Sequence, residues 1–426
     1  MEDAIALVAA LEAQPDVTSA LAAYETERRP VVELFQRAAS ESQSYFETLY
    51  RYVNLAPLPF AFHLLTRSGR ISYDDLRLRD PRFGALVDRA YHGSPALLTA
   101  PPPLLTPLRL REVTLPNRVA LAVRPACPAT NGLPAPAWEA AFVAQARAGA
   151  GLIVTPIVAV TADGRITPDD AGLWTATQTA AWARIVAAAH AAGPGRLLVQ
   201  IGHAGRRGAT RPRAGGLDRP LAADGWPLLA ASPLPYTPQS PVPQALDRAG
   251  MDALRAAFVQ AAEGAAQAGC DLLQIHAAHG YLLAGFLSPL TNTRADEYGG
   301  NLANRLRFPL EVVTAVRAVW PAGKPLAVAL TVTDGVRGGG TVEDAIAVAR
   351  AFSAAGCDLI TVQAGQTTPA GAAPYGRSFL TPLAARIRNE AGIPTLVGGY
   401  LTTANEVNTV LAAGRADLCL MEPTKF

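Results

Sequence analysis

Lysine is nearly missing: of 37 basic residues only Lys324 and Lys425 are lysine, in an alanine-rich chain. That bias reads as coding composition rather than as a device for gripping anions. Charge of one sign is missing too. With 37 basic and 35 acidic residues the formal charge is +2, so no chain-wide field draws nucleic acid or a membrane surface. Cys127, Cys270, Cys357 and Cys419 lie far apart and form no CxxC or Cys/His cluster, which argues against a zinc site or a disulfide framework. A reducing cytoplasm is therefore the expected compartment. No apolar run approaches the length of a membrane span, and the start MEDAIALVAAL carries acid where a secretory signal needs positive charge.

What the chain has is apolar mass and punctuation. Hydrophobic residues make up 50%, and 36 glycines with 35 prolines are about one residue in six, which predicts frequent turns and short or well-capped helices. A length of 426 residues suits one large domain plus something smaller. One pattern recurs: Ala148-Gly149 before GLIVT, Ala268-Gly269 before CDLLQIH, Ala355-Gly356 before CDLITVQ, and Ala413-Gly414 before RADLCLM. Each copy ends an amphipathic stretch with a glycine, as a helix C-cap requires, and opens a short apolar run typical of a buried parallel strand.

The runs at 117–123, 196–202, 326–332 and 395–399 bring the count to eight strands separated by helical patterns. That alternation predicts an α/β fold, a (β/α)8 TIM barrel. Only five residues follow the last run, Leu418 to Met421, so the barrel is expected to lack its last helix. Residues 1–93 stand outside the repeat and read as a helical segment, with YETERRPVVELFQRAA the most periodic stretch. The proline-rich hinge at 95–107 places the boundary before a barrel domain at 94–426. A Pro-, Gly- and Arg-rich segment at about 203–249 follows the third strand, on the face where barrel enzymes keep their sites.

On that face, the strand ending at Ile275 runs into His276-Ala277-Ala278-His279-Gly280-Tyr281. Two imidazoles three residues apart can converge on one carbonyl oxygen while a neighbouring phenol delivers a proton. The same pair can equally buttress the following loop through hydrogen bonds. No third histidine or carboxylate has matching spacing, so no metal is expected. Gln200 points its amide into the lumen or toward its rim. Its plainer role is satisfying backbone groups. His203 and Arg206 sit in a turn that shapes the loop, and Arg206, Arg207, Arg211 and Arg213 form either a solvated basic stretch or a phosphate contact.

The stretch HAAHGYLLAGFLSPLTNTRADEYGGNLANRLRFPLEV at 276–312 is very similar to the signature of the old yellow enzyme family, FMN-dependent reductases of activated double bonds on a (β/α)8 barrel. The resemblance runs from about Leu105 to Cys419. Residues 232–252 narrow it to the reductase half of bifunctional 2-aminobenzoyl-CoA and salicylyl-CoA monooxygenase/reductases. Residues 1–93 resemble the closing helices of the FAD-dependent aromatic hydroxylase that precedes the barrel there, without its FAD-binding body. The resemblance implies that His276 and His279 hold the substrate carbonyl, that Tyr281 is the proton donor, and that Gln200 faces the flavin pyrimidine edge. It also brings Gly398 and Gly399 toward the FMN phosphate.

Three positions depart from the family pattern. Ala122-Val123-Arg124 stands where a Ser-Pro-Met run wraps the flavin, or Pro125-Ala126-Cys127 after a two-residue shift. Ala329 and Pro423 stand where two flavin-binding arginines are expected. Losing two charged hydrogen bonds costs about 3 to 6 kcal/mol in affinity. Arg124 either compensates or fills space that flavin would take. The leading expectation is a barrel with an eroded flavin site that performs non-redox acid–base chemistry, such as isomerisation, cyclisation or addition, on an enone or acyl thioester. The alternative is an FMN-dependent ene-reductase using NAD(P)H beside a separate hydroxylase. A third is a non-catalytic scaffold, with residues 1–93, a second copy or a partner subunit covering the open side of the barrel.

Overall fold

The computed structural model describes residues 1–93, 99–216, 218–371 and 375–422. The proposed domain boundary, the start of the hinge, and Pro423 fall outside the described residues. Five helices come first: α1 (Glu2–Ala13), α2 (Val17–Glu47), α3 (Pro57–Leu65), α4 (Tyr73–Arg79) and α5 (Pro81–His92). Of the two expected kinds, short or well-capped, α2 is the second: a 31-residue helix that runs through Pro30. Asp16 caps it by accepting from Ser19 N at 2.9 Å, and it lies against α1, with Arg28 bonded to Asp3 at 2.7 Å.

A hairpin, β1 (Leu108–Leu110) and β2 (Val113–Leu115), precedes the barrel. Its strands are β3 (Val119–Ala122), β4 (Leu152–Ala159) and β5 (Arg196–Gly202); the short pair β6 (Leu229–Ala230) and β7 (Gln244–Ala245) follows; then β8 (Leu272–Ala277), β9 (Leu326–Thr331), β10 (Leu359–Gln363), β11 (Thr395–Leu401) and β12 (Leu418–Met421). The eight barrel strands close in the order β10-β11-β12-β3-β4-β5-β8-β9, all parallel. Between them run α6 (Ala137–Arg147), α7 (Ala176–Ala192), α8 (Arg248–Gln267), the short α9 (Leu282–Leu287), α10 (Leu302–Val319), α11 (Val342–Ala354), α12 (Thr381–Arg386) and α13 (Ala404–Ala412). The expected capping glycines hold: Gly149, Gly269, Gly356 and Gly414 all have φ between 64° and 93°, where a side chain is strained.

Strand alternation divides the core in two. Outward residues such as Ile153, Val199, Ile275 and Val328 pack with Phe142, Trp182, Phe258, Phe308 and Phe352 of the helices. The inward row is built in tiers. Its floor is Leu152, Leu198, Leu272, Leu359, Leu396 and Leu418, plugged from below by Leu110 and Leu115 of the hairpin. Two residues higher the row turns polar on β5, β8 and β10, at Gln200, Gln274 and Thr361; one step higher stand His276, Thr331 and Gln363. The site is the polar end of an otherwise apolar tube.

The N-terminal helices dock on α13. Phe62, Tyr73, Leu76 and Val87 form one buried cluster with Ala412 and Ala413. Tyr73 N donates to Thr409 Oγ1 at 2.9 Å, Asn405 Nδ2 to Ser72 Oγ at 3.1 Å, and Arg415 Nη2 to Thr66 O at 3.1 Å. No described helix is long and apolar enough to cross a membrane.

Candidate active site

His276 is the uppermost inward residue of β8, 3% exposed. Its Nδ1 lies 2.9 Å from Gln200 Oε1, and its Nε2 is buried with no hydrogen-bond partner among the described residues. Beyond the strand the chain turns through two left-handed residues, His279 (φ 58°) and Gly280 (φ 68°). Gly280 is required: a Cβ there would meet the Thr367 backbone at 2.8 Å. The strained His279 is pinned by its N–H donating to Thr331 Oγ1 at 2.9 Å and by its carbonyl accepting from Arg207 Nη1 at 2.5 Å. This turn folds His279 and Tyr281 back over the mouth. The ring centroids are 5.3 Å apart for His276–His279, 5.4 Å for His276–Tyr281 and 6.3 Å for His279–Tyr281.

Burial sets the protonation of all three. It pushes His276 well below the usual imidazole range, helped by His279 and Arg207, and pulls His279 down to about 4; both are neutral at physiological pH. Burial pushes the Tyr281 phenol up to about 12, against the opposing pull of Arg207. The mouth therefore offers neutral imidazoles and a protonated phenol, a set suited to holding a polarised oxygen and delivering a proton.

Arg207 was expected in a solvated stretch or on a phosphate, and the structure corrects both. It is 4% exposed, makes a two-oxygen contact with Asp218 at 2.8 Å, and lies 4.3 Å from the Tyr236 ring centroid and 5.0 Å from that of Tyr281. Arg206, 6% exposed, donates to the carbonyls of Leu234, Pro235 and Thr367. These arginines tie the loop at 203–249 down by its backbone oxygens. His203 behaves as the turn-shaping residue expected, its Nδ1 accepting from Gly205 N at 3.0 Å.

Sequence reasoning missed the residues behind the histidines. Gln274 Nε2 donates to Gln200 Oε1 at 2.5 Å, Thr361 Oγ1 donates to Gln274 Oε1 at 2.5 Å, and His279 Nε2 lies 3.2 Å from Gln363 Oε1. The available signal was a polar residue two before His276 in an otherwise apolar strand, on the same face.

These features define a (β/α)8 barrel with two neutral imidazoles and a protonated phenol gathered at its C-terminal mouth. The chain belongs to the NADH:flavin oxidoreductase / NADH oxidase family, whose sequence model matches residues 103–422. It is 34% identical over 322 residues to an NADPH dehydrogenase of Geobacillus thermodenitrificans, covering 75% of this chain and 89% of the relative, and equally to one of Listeria monocytogenes serotype 4a. Among solved structures, morphinone reductase is 28% identical with a TM-score of 0.62, covering 75% of this chain and 85% of that one. A 2-naphthoyl-CoA reductase complex is 24% identical with a TM-score of 0.66; its likeness is one of fold, and this chain spans half its length.

The family name implies FMN, and the residues present fit it only in part. Gln200 offers an uncharged amide at the mouth, its Oε1 engaged by Gln274 and His276. With Ala329 wholly buried, the upper inward rows of β5, β8, β9 and β10, at and above Gln200, carry no arginine or lysine. At Gly399 (φ 94°) a Cβ would meet the Phe379 ring at 3.1 Å, while at Gly398 it would meet Leu420 at an ordinary 3.5 Å. Arg124, beyond β3, neither fills the lumen nor stands free: it is 73% exposed and paired with Glu422 at 2.9 Å.

Proposed function

We propose that the chain acts on an α,β-unsaturated carbonyl or acyl thioester as an FMN-dependent, NAD(P)H-driven ene-reductase. His276 and His279 bind the carbonyl oxygen, and Tyr281 gives a proton to the carbon beside it. The observation that carries this reading is the buried, partnerless Nε2 of His276, facing a second neutral imidazole and a protonated phenol. Family membership and the curated NADPH dehydrogenase relatives support the reductive form. When bound, FMN reduced by NAD(P)H supplies the hydride.

The protein's own part is separable from that cofactor. Neutral imidazoles polarise the oxygen without being consumed as acids, and Tyr281 remains the acid because its phenol titrates near 12. The Arg207 guanidinium, 5.0 Å from the ring, favours the phenolate left after transfer. Loop 203–249, tied down by Arg206 and Arg207, keeps water from the mouth.

A second reading is favoured by one observation, the missing cation at Ala329. Here the same three residues catalyse a non-redox proton shift in an enone or acyl thioester. Residues 1–93 are read, on resemblance, as the closing helices of an aromatic hydroxylase; their helical content supports this.

One assay separates the two readings: anaerobic NADPH oxidation by the purified protein with 2-cyclohexenone, with and without added FMN, run in parallel in D2O. Oxidation that needs both FMN and the enone supports the reductase. Deuterium exchange into the enone with no NADPH consumed, at saturating FMN, supports the second reading and overturns the first.

A further inference from the structure

The buried amides beneath His276 form a continuous chain. Thr361 donates its hydroxyl to Gln274, Gln274 donates its amide N–H to Gln200, and both Gln274 Nε2 and His276 Nδ1 converge on the same Gln200 Oε1. Gln274 is 1% exposed and Thr361 5%, so water does not compete. An amide oxygen only accepts, and in this arrangement His276 must carry its proton on Nδ1. The partnerless Nε2 is then a lone pair. It can accept a proton or hydrogen bond but cannot donate to a carbonyl.

The chain has a second, complementary direction. If both amides turn over, Gln200 donates one N–H to His276 Nδ1 and the other to Gln274 Oε1, and Gln274 donates to Thr361. The imidazole proton then moves to Nε2. What the mouth presents is exchanged: an acceptor imidazole beside a donor amide becomes a donor imidazole beside an acceptor amide. Only the second direction suits a carbonyl oxygen.

We propose that Gln274 and Thr361 are positioning residues that set, through Gln200, which ring nitrogen of His276 is protonated, and that binding a carbonyl reverses the relay. Neither residue meets the substrate. The relay is reversible because each amide carries both a donor and an acceptor and because a threonine hydroxyl serves as either. The reversal step rests on the function proposed above; the coupling between Gln274 and the His276 tautomer does not.

The test is nitrogen-15 NMR of imidazole-labelled protein, in which the two neutral tautomers have distinct ring shifts, on the wild type, Gln274→Met and Thr361→Val. The wild type is expected to show His276 protonated on Nδ1. Either variant is expected to change the tautomer ratio by about tenfold, the equilibrium equivalent of about 1.4 kcal/mol. A ratio unchanged in both variants, each shown to be folded by its melting curve, overturns the relay. Adding 2-cyclohexenone to the wild type is expected to move the proton to Nε2. A relay that responds to the variants but not to the enone overturns the reversal and the carbonyl-binding function while leaving the tautomer coupling standing.

Discussion

Ala329 stands directly beside His276 across the β8–β9 pair, so at that register the strand next to the key imidazole offers a methyl group and no hydrogen-bond donor. A wholly buried position at that register is close enough to the mouth to tune any negative charge that forms there.

Ala329→Arg is expected to tighten FMN binding by about tenfold or more, the worth of one charged hydrogen bond. The cofactor-free variant is expected to melt lower, because the new cation is buried without a partner. Flavin fluorescence titration and thermal melts read the two effects separately, and unchanged affinity with a lowered melt would place the ring away from β9.

Tyr281→Phe removes the phenol that lies against both histidines. It is expected to lower kcat for the enone by about 10² to 10⁴, the usual contribution of a positioned acid, with a small change in KM. His276→Ala is expected to raise KM and lower kcat together. Steady-state kinetics with 2-cyclohexenone distinguishes these patterns, and a fully active Tyr281→Phe would remove the phenol from the mechanism.

Acid should unfold the protein through its buried histidines. Burial, with Arg415 adding to it, lowers His63 to about 3, and burial lowers His203 to about 4. The unfolded chain titrates near 6.5 and so binds more protons between pH 6.5 and these folded values. Stability from these groups is present above about 6.5 and falls as pH drops through that window, by up to about 1.4 kcal/mol per pH unit for each histidine. Urea titrations from neutral pH to about 4.5 check the slope. The same logic moves the acid limb of activity to about 4, where His279 titrates.

Arg207→Met leaves Asp218 unpaired under the loop and frees the carbonyls of His279 and Gln366. Breaking such a buried pair costs about 3 to 5 kcal/mol. Limited proteolysis is expected to cut within 203–249 in the variant and not in the wild type.

Phe62→Ala, at a side chain 1% exposed, is expected to cost about 3 to 5 kcal/mol. Because Phe62 shares a cluster with Ala412 and Ala413, unfolding followed by Trp320 fluorescence in the barrel should shift as well. An unshifted barrel transition would make residues 1–93 an independent unit.

The barrel was legible because its period is written locally. The run at 196–202 is β5 residue for residue, and the last run is β12; apolar strands bounded by capping glycines need no distant partner to be recognised. His276, His279 and Tyr281 were legible because three neighbours in sequence share one turn. Gln274 and Thr361 were not, because their meaning lies in a contact between residues 87 apart in sequence. Arg207 was misread for the same reason: two arginines in a Gly-rich loop look solvated until Asp218 and the facing carbonyls are placed around them. The periodic stretch at 24–39 already ran through Pro30, and α2 extends it at both ends.

The docking of α3–α5 on α13 has a cost in time. Tyr73 bonds to Thr409 across 336 positions, so on the ribosome the first helices emerge long before the surface they cover has been made. Their apolar faces must wait through the synthesis of nearly the whole barrel, at about 5 to 20 residues per second. Chaperone dependence during translation is the burden expected of this topology.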